Sequence, residues 1–215
     1  VQRQFTNFKI HSQYSICEGA VKIDDLANYC KENKIKAVGI CDSLNLCGAL
    51  EFSEKISKQG TQPIIGTQIN FKFENTIAKI PLFAKSELGF KNLSKLSSKS
   101  YISSEPTNDP HCKFEDLYEN SEELIILTGG QNDFFGNLFK LNKVTQLEEI
   151  IQKISKIFKD RIYIEIQRHQ DRDEKNYENY IINLSRKLNL PLIASQEIFY
   201  IKSDMHEAHD ALICI

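Results

Sequence analysis

Along this chain the hydrophobic residues switch period again and again, from 2 to 3.6 and back, and that alternation restricts it to folds in which strands and helices share a core. Runs that read as strands fall at residues 5–11, 37–42 (AVGICD), 63–71 (PIIGTQINF), 80–85 (IPLFAK), 124–129 (LIILTG), 162–167 (IYIEIQ) and 192–198 (LIASQEI). Helical spacing covers 22–33 through Ile23, Leu26 and Cys30, 46–58 through Leu46, Leu50 and Ile56, and 86 to about 96. A short helix follows at 113–119, and later ones carry Leu147, Ile150, Ile151, Ile154 and Ile157, then Tyr177, Tyr180, Ile181 and Leu184. Thr145 with Glu148 makes a capping box for the first of that later pair. The polar stretch SSEPTNDPHC reads as a loop. Strands mostly separated by helices predict an α/β fold with a largely parallel sheet, in which function sits at the carboxyl ends of the strands. Periodicity alone leaves a closed barrel and an open wound sheet equally open.

At 215 residues, with 41% hydrophobic and 26% charged, the chain has the make-up of a soluble globular domain. A chain of this size buries roughly 70% of its unfolded surface, so neither disulfides nor metal are needed for a core. No apolar run reaches the ~18 residues of a membrane span and the start is not a signal peptide, so a cytoplasmic location without a membrane partner is expected. The net charge of −2 argues against a surface built to grip phosphate backbones. The six cysteines form no C-x-x-C pair and read as reduced core residues. The chain opens on Val1 and stops at Ile215 inside an apolar helical run, which predicts a domain cut from a longer protein. No repeat or linker divides it, so residues 1–215 are expected to form one domain.

Glycine-rich phosphate loops, G-x-S-x-G and H-E-x-x-H are all missing. Polar residues at strand ends remain. Lys9 and His11 share a face of the first strand, Asp42 and Ser43 end the second, Gln68 lies late in the third, and Glu197 and Phe199 share a face at the end of the last. Taken singly, each also reads as an ordinary cap or turn residue.

The blocks FTNFKIHSQYSICEGAVKIDDL, AVGICDSLNLCGALEFSEKISKQGTQPIIGTQI, LFAKSELGFKNLSKL and LPLIASQEIFYIKSDMHEAHDALICI, in this order, resemble the N-terminal PHP (polymerase and histidinol phosphatase) domain of bacterial DNA polymerase III alpha subunits. The resemblance implies a distorted seven-stranded (β/α) barrel, and a fragment of a longer polymerase. In active members the barrel mouth holds divalent metals through His, Asp, Glu and Cys and hydrolyses phosphoesters, the cations generating hydroxide and stabilising phosphoryl charge.

Carried over residue by residue, the family's ligands are largely replaced here. The opening H-x-H falls on Lys9-Ile10-His11, the next acid on Glu18, and the Asp-His pair on Asp42-Ser43. The following glutamate is Gln68, the next histidine Lys79, the Cys or His position Gly130, and the last Asp-x-His reads Glu197-Ile198-Phe199. The expectation is a vestigial site without metal, in which the lysines stand in for cation charge beside Glu18, Asp42, Glu197 and His11. The family then implies a scaffold that supports the polymerase core of the same chain and docks a separate proofreading exonuclease. DNA contact and Mg²⁺ would belong to a nucleotidyltransferase site beyond residue 215. The alternative is a residual metal phosphoesterase or 3′ to 5′ exonuclease using His11, Glu18, Asp42, Glu197 and His169. His169 otherwise reads as a capping or hydrogen-bonding histidine, His111 as a loop residue, and His206 and His209 as solvent or interdomain contacts. The Phe134-Phe135 and Tyr177/Tyr180 pairs read as core or interface aromatics.

Overall fold

A computed structural model of the chain describes residues 5–214. Val1 and Ile215, on which the expectation of an excised domain leaned, lie outside the described residues. In chain order the elements are β1 (Lys9–Ile10), α1 (Ile23–Glu32), β2 (Ala37–Ser43), α2 (Ala49–Lys58), β3 (Gln62–Phe73), β4 (Thr76–Ala84) and α3 (Glu87–Ile102). They continue with α4 (Phe114–Glu119), β5 (Leu124–Leu127), α5 (Phe134–Lys140), α6 (Val144–Phe158), β6 (Ile162–Ile166), α7 (Glu174–Leu188), β7 (Leu192–Ala194), β8 (Glu197–Ile198) and α8 (His206–Ile213). Two compact units result: the first is residues 1–67 with 196–215, the second the continuous stretch 68–195.

In the first unit β1 pairs in parallel with β2, Ile10 opposite Ile40, and with β8, Lys9 opposite Glu197. Helix α1 buries Ile23, Leu26, Ala27 and Cys30, the i, i+3, i+4, i+7 stripe of a surface helix. Asp24 and Asp25 in its first turn and Lys31 in its last complement the helix dipole. Helix α2 buries Ala49, Phe52 and Ile56. Ala49 apart, these side chains form one apolar core with Val38 and Ile40 of β2.

In the second unit β5 pairs antiparallel with β4 and parallel with β6, and β6 pairs parallel with β7. Most of the described pairings are thus parallel, as the sequence predicted, with an antiparallel step between β4 and β5. Cys112 bridges Phe71 of β3 and its backbone exchanges hydrogen bonds with Asn70 and Lys72, so the end of the predicted polar loop is tied to a strand. Helix α6 buries Leu147, Ile150, Ile151, Ile154 and Phe158.

Other expectations are corrected in detail. The predicted strand at 5–11 shrinks to two paired residues, because Phe5 is solvent-exposed and the ladder begins only where β2 and β8 supply partners. The predicted seventh strand breaks into β7, paired with β6, and β8, paired with β1, on either side of Ser195 and Gln196. Helix α3 runs on to Ile102, past the predicted end, with Ser100 continuing the buried face of Leu93 and Leu96. Helix α6 starts at Val144 with no side-chain cap, so the Thr145/Glu148 capping box does not form. Only Cys30, Cys41 and Cys112 are buried; Cys17, Cys47 and Cys214 are exposed, lying in loops or at the end of α8. Burial lifts the Cys30 thiol to about 11 and, with Asp116, the Cys112 thiol to about 12.

Candidate functional site

Seven of the ten singled-out positions lie in the first unit: Lys9, His11, Glu18, Asp42, Ser43, Glu197 and Phe199. Strand register brings the first pair together. Lys9 and Glu197 are direct partners of the β1/β8 ladder, and the Lys9 ammonium lies 3.2 Å from a Glu197 carboxylate oxygen, an ion-pair distance without hydrogen-bond alignment. Lys9 has 0% exposed surface, so its charge is held inside the protein, while Glu197 keeps 20% exposure. A buried ammonium persists only where neighbouring charge offsets its desolvation.

Two residues on from Lys9, His11 points its Nε2 at the same Glu197 oxygen, 3.5 Å away. Its ring lies nearly parallel to that of Phe199, with centroids 4.5 Å apart and planes at 13°. His209 of α8 also lies against Phe199, 5.7 Å between centroids, and Tyr200 is 5.2 Å from the same imidazole. The Nε2 of His209 lies 2.7 Å from the backbone oxygen of Glu18, and since a carbonyl only accepts, that nitrogen carries the proton. His209, expected at solvent or an interdomain contact, thus packs within its own unit, whereas His206 is exposed, 3.5 Å from Asp210.

Asp42 closes β2 with 2% of its surface exposed, and both its oxygens are engaged by the turn after β1. One accepts from the Ser12 backbone N–H at 2.6 Å and the Ser15 hydroxyl at 2.7 Å; the other accepts from the Ser12 hydroxyl at 2.8 Å. Hydrogen bonds to a charged acceptor are each worth about 1.5–3 kcal/mol, so this carboxylate fixes the turn. The Ser15 hydroxyl, which gives its proton to Asp42, also lies 3.4 Å from His11 Nδ1, while His11 Nε2 faces Glu197. The Ser43 hydroxyl donates to the Glu18 carboxylate.

The other three positions belong to the second unit. Gln68 is buried in β3, and Lys79 is half-buried in β4. Gly130 donates its N–H to Asp133 at 2.7 Å, and a side chain at Gly130 would begin 2.4 Å from the Gln167 amide oxygen. Gln167 in turn donates to Glu165 at 2.9 Å, and Glu165 also accepts from the Ser195 hydroxyl. His169 meets the oxygen of Gln167 at 3.2 Å, and its backbone N–H donates to Glu174, so this imidazole serves the loop's hydrogen bonding. Sequence reasoning missed Glu165, 1% exposed, although a lone acid among the isoleucines of IYIEIQ was a visible signal. It also missed the hydroxyl of Tyr177, which burial and then Asp133, Glu165 and Tyr180 hold well above the ordinary tyrosine value.

Among the described residues, no group of three or more His, Cys, Asp or Glu side chains is placed to hold a metal ion. No helix among them is long and apolar enough to cross a membrane.

Comparison with known proteins gives these observations a context. Residues 7–169 match the family described as the PHP domain. The chain is 37% identical over its whole length to DNA polymerase III subunit alpha of Rickettsia bellii and 34% identical over 98% of its length to that of Caulobacter vibrioides. It spans 18% and 19% of those relatives. Among solved structures, an amidohydrolase from Chromobacterium violaceum with bound sulfate aligns with a TM-score of 0.59 at 10% identity, over 97% of both chains. A putative metal-dependent phosphoesterase from Bifidobacterium adolescentis aligns at 0.55 and 9% identity, over 92% of this chain and 89% of that one. Likeness at such identity establishes the α/β fold of the PHP type. The chain belongs to the PHP domain family and is homologous to the PHP region of DNA polymerase III subunit alpha.

Proposed function

We propose that this chain is the PHP domain of a cytoplasmic replicative DNA polymerase and works there as a non-catalytic scaffold, supporting the polymerase core of the same chain and docking a separate proofreading exonuclease. On this reading the nucleotidyltransferase chemistry, its Mg²⁺ and the grip on DNA belong to other parts of that polymerase. One observation carries the proposal: the fully buried Lys9 ammonium, 3.2 Å from Glu197, where the family places an imidazole ligand.

The surrounding donors do not fit a divalent cluster. An ammonium repels cations, Asp42 has both oxygens committed to Ser12 and Ser15, and Glu18 receives the Ser43 hydroxyl. Phe199 lays an apolar ring over His11 where a second imidazole is expected. Two-metal hydrolysis needs open ligands that bridge cations a few ångströms apart, and these side chains are bonded to one another instead.

The purified chain, dialysed and analysed by mass spectrometry for bound Mn, Zn and Fe, is expected to carry far less than one equivalent, and to release no phosphate from a generic phosphoester in manganese. Stoichiometric metal, or hydrolysis abolished by His11→Ala, overturns the inactive reading. Co-purification of the full-length polymerase with its organism's exonuclease tests the docking half; no association removes it.

A further inference from the structure

Two cavities of the first unit share a wall made by Tyr29 and Ile201. The smaller, about 220 Å³, is apolar, with Phe5, Leu26, Cys30 and Val38 among its lining. Two of the rings around it are wasteful for an isolated domain: Tyr29 is 44% exposed and Phe5 53%. The larger, about 590 Å³, opens between α1 and the segment leading into α8, and its edges bear Asp25, Glu32 and Asp204 against the single cation Lys202. Asp25 and Glu32 stand two turns apart on α1, seven residues along, and therefore project in similar directions. None of the three carboxylates takes part in an ion pair or a side-chain hydrogen bond among the described residues, unlike their neighbour Asp24, which holds Lys55 at 2.6 Å.

We propose that these two adjacent cavities together form a docking site for a polypeptide segment that combines basic and apolar side chains. One large apolar side chain anchors in the smaller cavity, and a Lys or Arg beside it lies along Asp25, Glu32 and Asp204. Three considerations select this occupant. The carboxylate edge repels phosphates, which disfavours nucleic acid and anionic lipid surfaces. The apolar cavity is smaller than the roughly 300–1,000 Å³ of small-molecule sites, and suits a side chain more than a whole ligand. An apolar anchor in a pocket, ringed by charge complementary to its flanks, is the arrangement that concentrates affinity in short recognition segments. The inference stands independently of the scaffold reading, since neither the lost metal site nor an exonuclease enters it.

The test uses the intact 215-residue chain, immobilised and panned against random dodecapeptides displayed on phage. Enriched sequences are expected to place Lys or Arg within a few positions of Leu, Ile, Phe, Tyr or Trp. A synthetic peptide from the selection should bind at least ten-fold more weakly to the double variant Asp25→Lys/Glu32→Lys, and lose affinity as salt rises. Ala37→Phe, which fills the apolar cavity, should weaken binding by at least as much. If circular dichroism shows that variant misfolded, Tyr29→Ala replaces it, with the same expected loss. No enrichment, enrichment of acidic or uncharged sequences, or binding indifferent to both the charge reversal and the cavity change each overturns the proposal.

Discussion

Tyr177 concentrates the physics of a buried polar group in one residue. Its hydroxyl is sealed from solvent and makes no hydrogen bond among the described residues. An unsatisfied buried donor costs about 1–3 kcal/mol, so Tyr177→Phe is expected to raise stability to urea by about 1 kcal/mol. The same residue sets an alkaline limit. Its folded pKa is raised, so the native state holds this proton more tightly than the unfolded chain, and stability must fall as pH climbs above the ordinary tyrosine value of about 10. Urea midpoints measured from pH 8 to 11 should drop more steeply for the native chain than for Tyr177→Phe; parallel curves exclude Tyr177 as the cause. None of this was legible from the sequence, where Tyr177 and Tyr180 read alike as core or interface aromatics. Lys9 and His11 were legible as a pair because alternate strand residues share a face. Their burial depends on β8, nearly two hundred residues away, which local pattern cannot reveal. Ser12 and Ser15 likewise resemble ordinary turn serines until the turn aims their hydroxyls at Asp42.

Among the elements, the turn from β1 to α1 and the loop after β5 show how differently two glycines are held. A side chain at Gly19 would begin 2.2 Å from the Ser12 carbonyl oxygen and 2.6 Å from that of His11, both backbone atoms that cannot retreat alone. At Gly130 the obstacle is the far end of Gln167, a rotatable amide. Gly19→Ala is therefore expected to cost about 3 kcal/mol, and Gly130→Ala about 1 kcal/mol or less, by thermal denaturation. A Gly130 cost equal to that of Gly19 would mean that Gln167 is locked by its bond to Glu165. Long amphipathic elements such as α1 and α6 were read correctly because many residues report one period. Among short elements the outcome was divided: α4, β5 and β6 were read, whereas α5 and β8 were not. The seven residues of α5 follow Gly129 and Gly130, carry Gly136 inside, and give too few turns for a period to emerge. β8, with two residues, exists only through its ladder with β1.

At the scale of the whole molecule, the first unit is assembled from both ends of the chain. Residues 196–215 supply β8, the Glu197 partner of Lys9, the Phe199 ring over His11, and the α8 histidine that bonds Glu18. A chain truncated after Ser195 should therefore lose protection in its first unit by amide hydrogen exchange, with β1 left paired to β2 alone and Lys9 and His11 deprived of Glu197 and Phe199, while residues 68–195 keep their slow-exchanging core. Equal protection of the first unit with and without its last twenty residues would contradict the role given to β8.

The bond between His209 and Glu18 spans 191 positions of sequence, and that separation has a consequence in time. During synthesis the second unit is complete once residue 195 has emerged, whereas the first must wait, with Lys9 already made and its counter-charge not yet translated. Contacts of such high sequence separation form slowly because a long loop has to close before they reward it. The half of the molecule that begins the chain is thus the half that finishes folding last. Its waiting strand is the one most in need of protection on the ribosome.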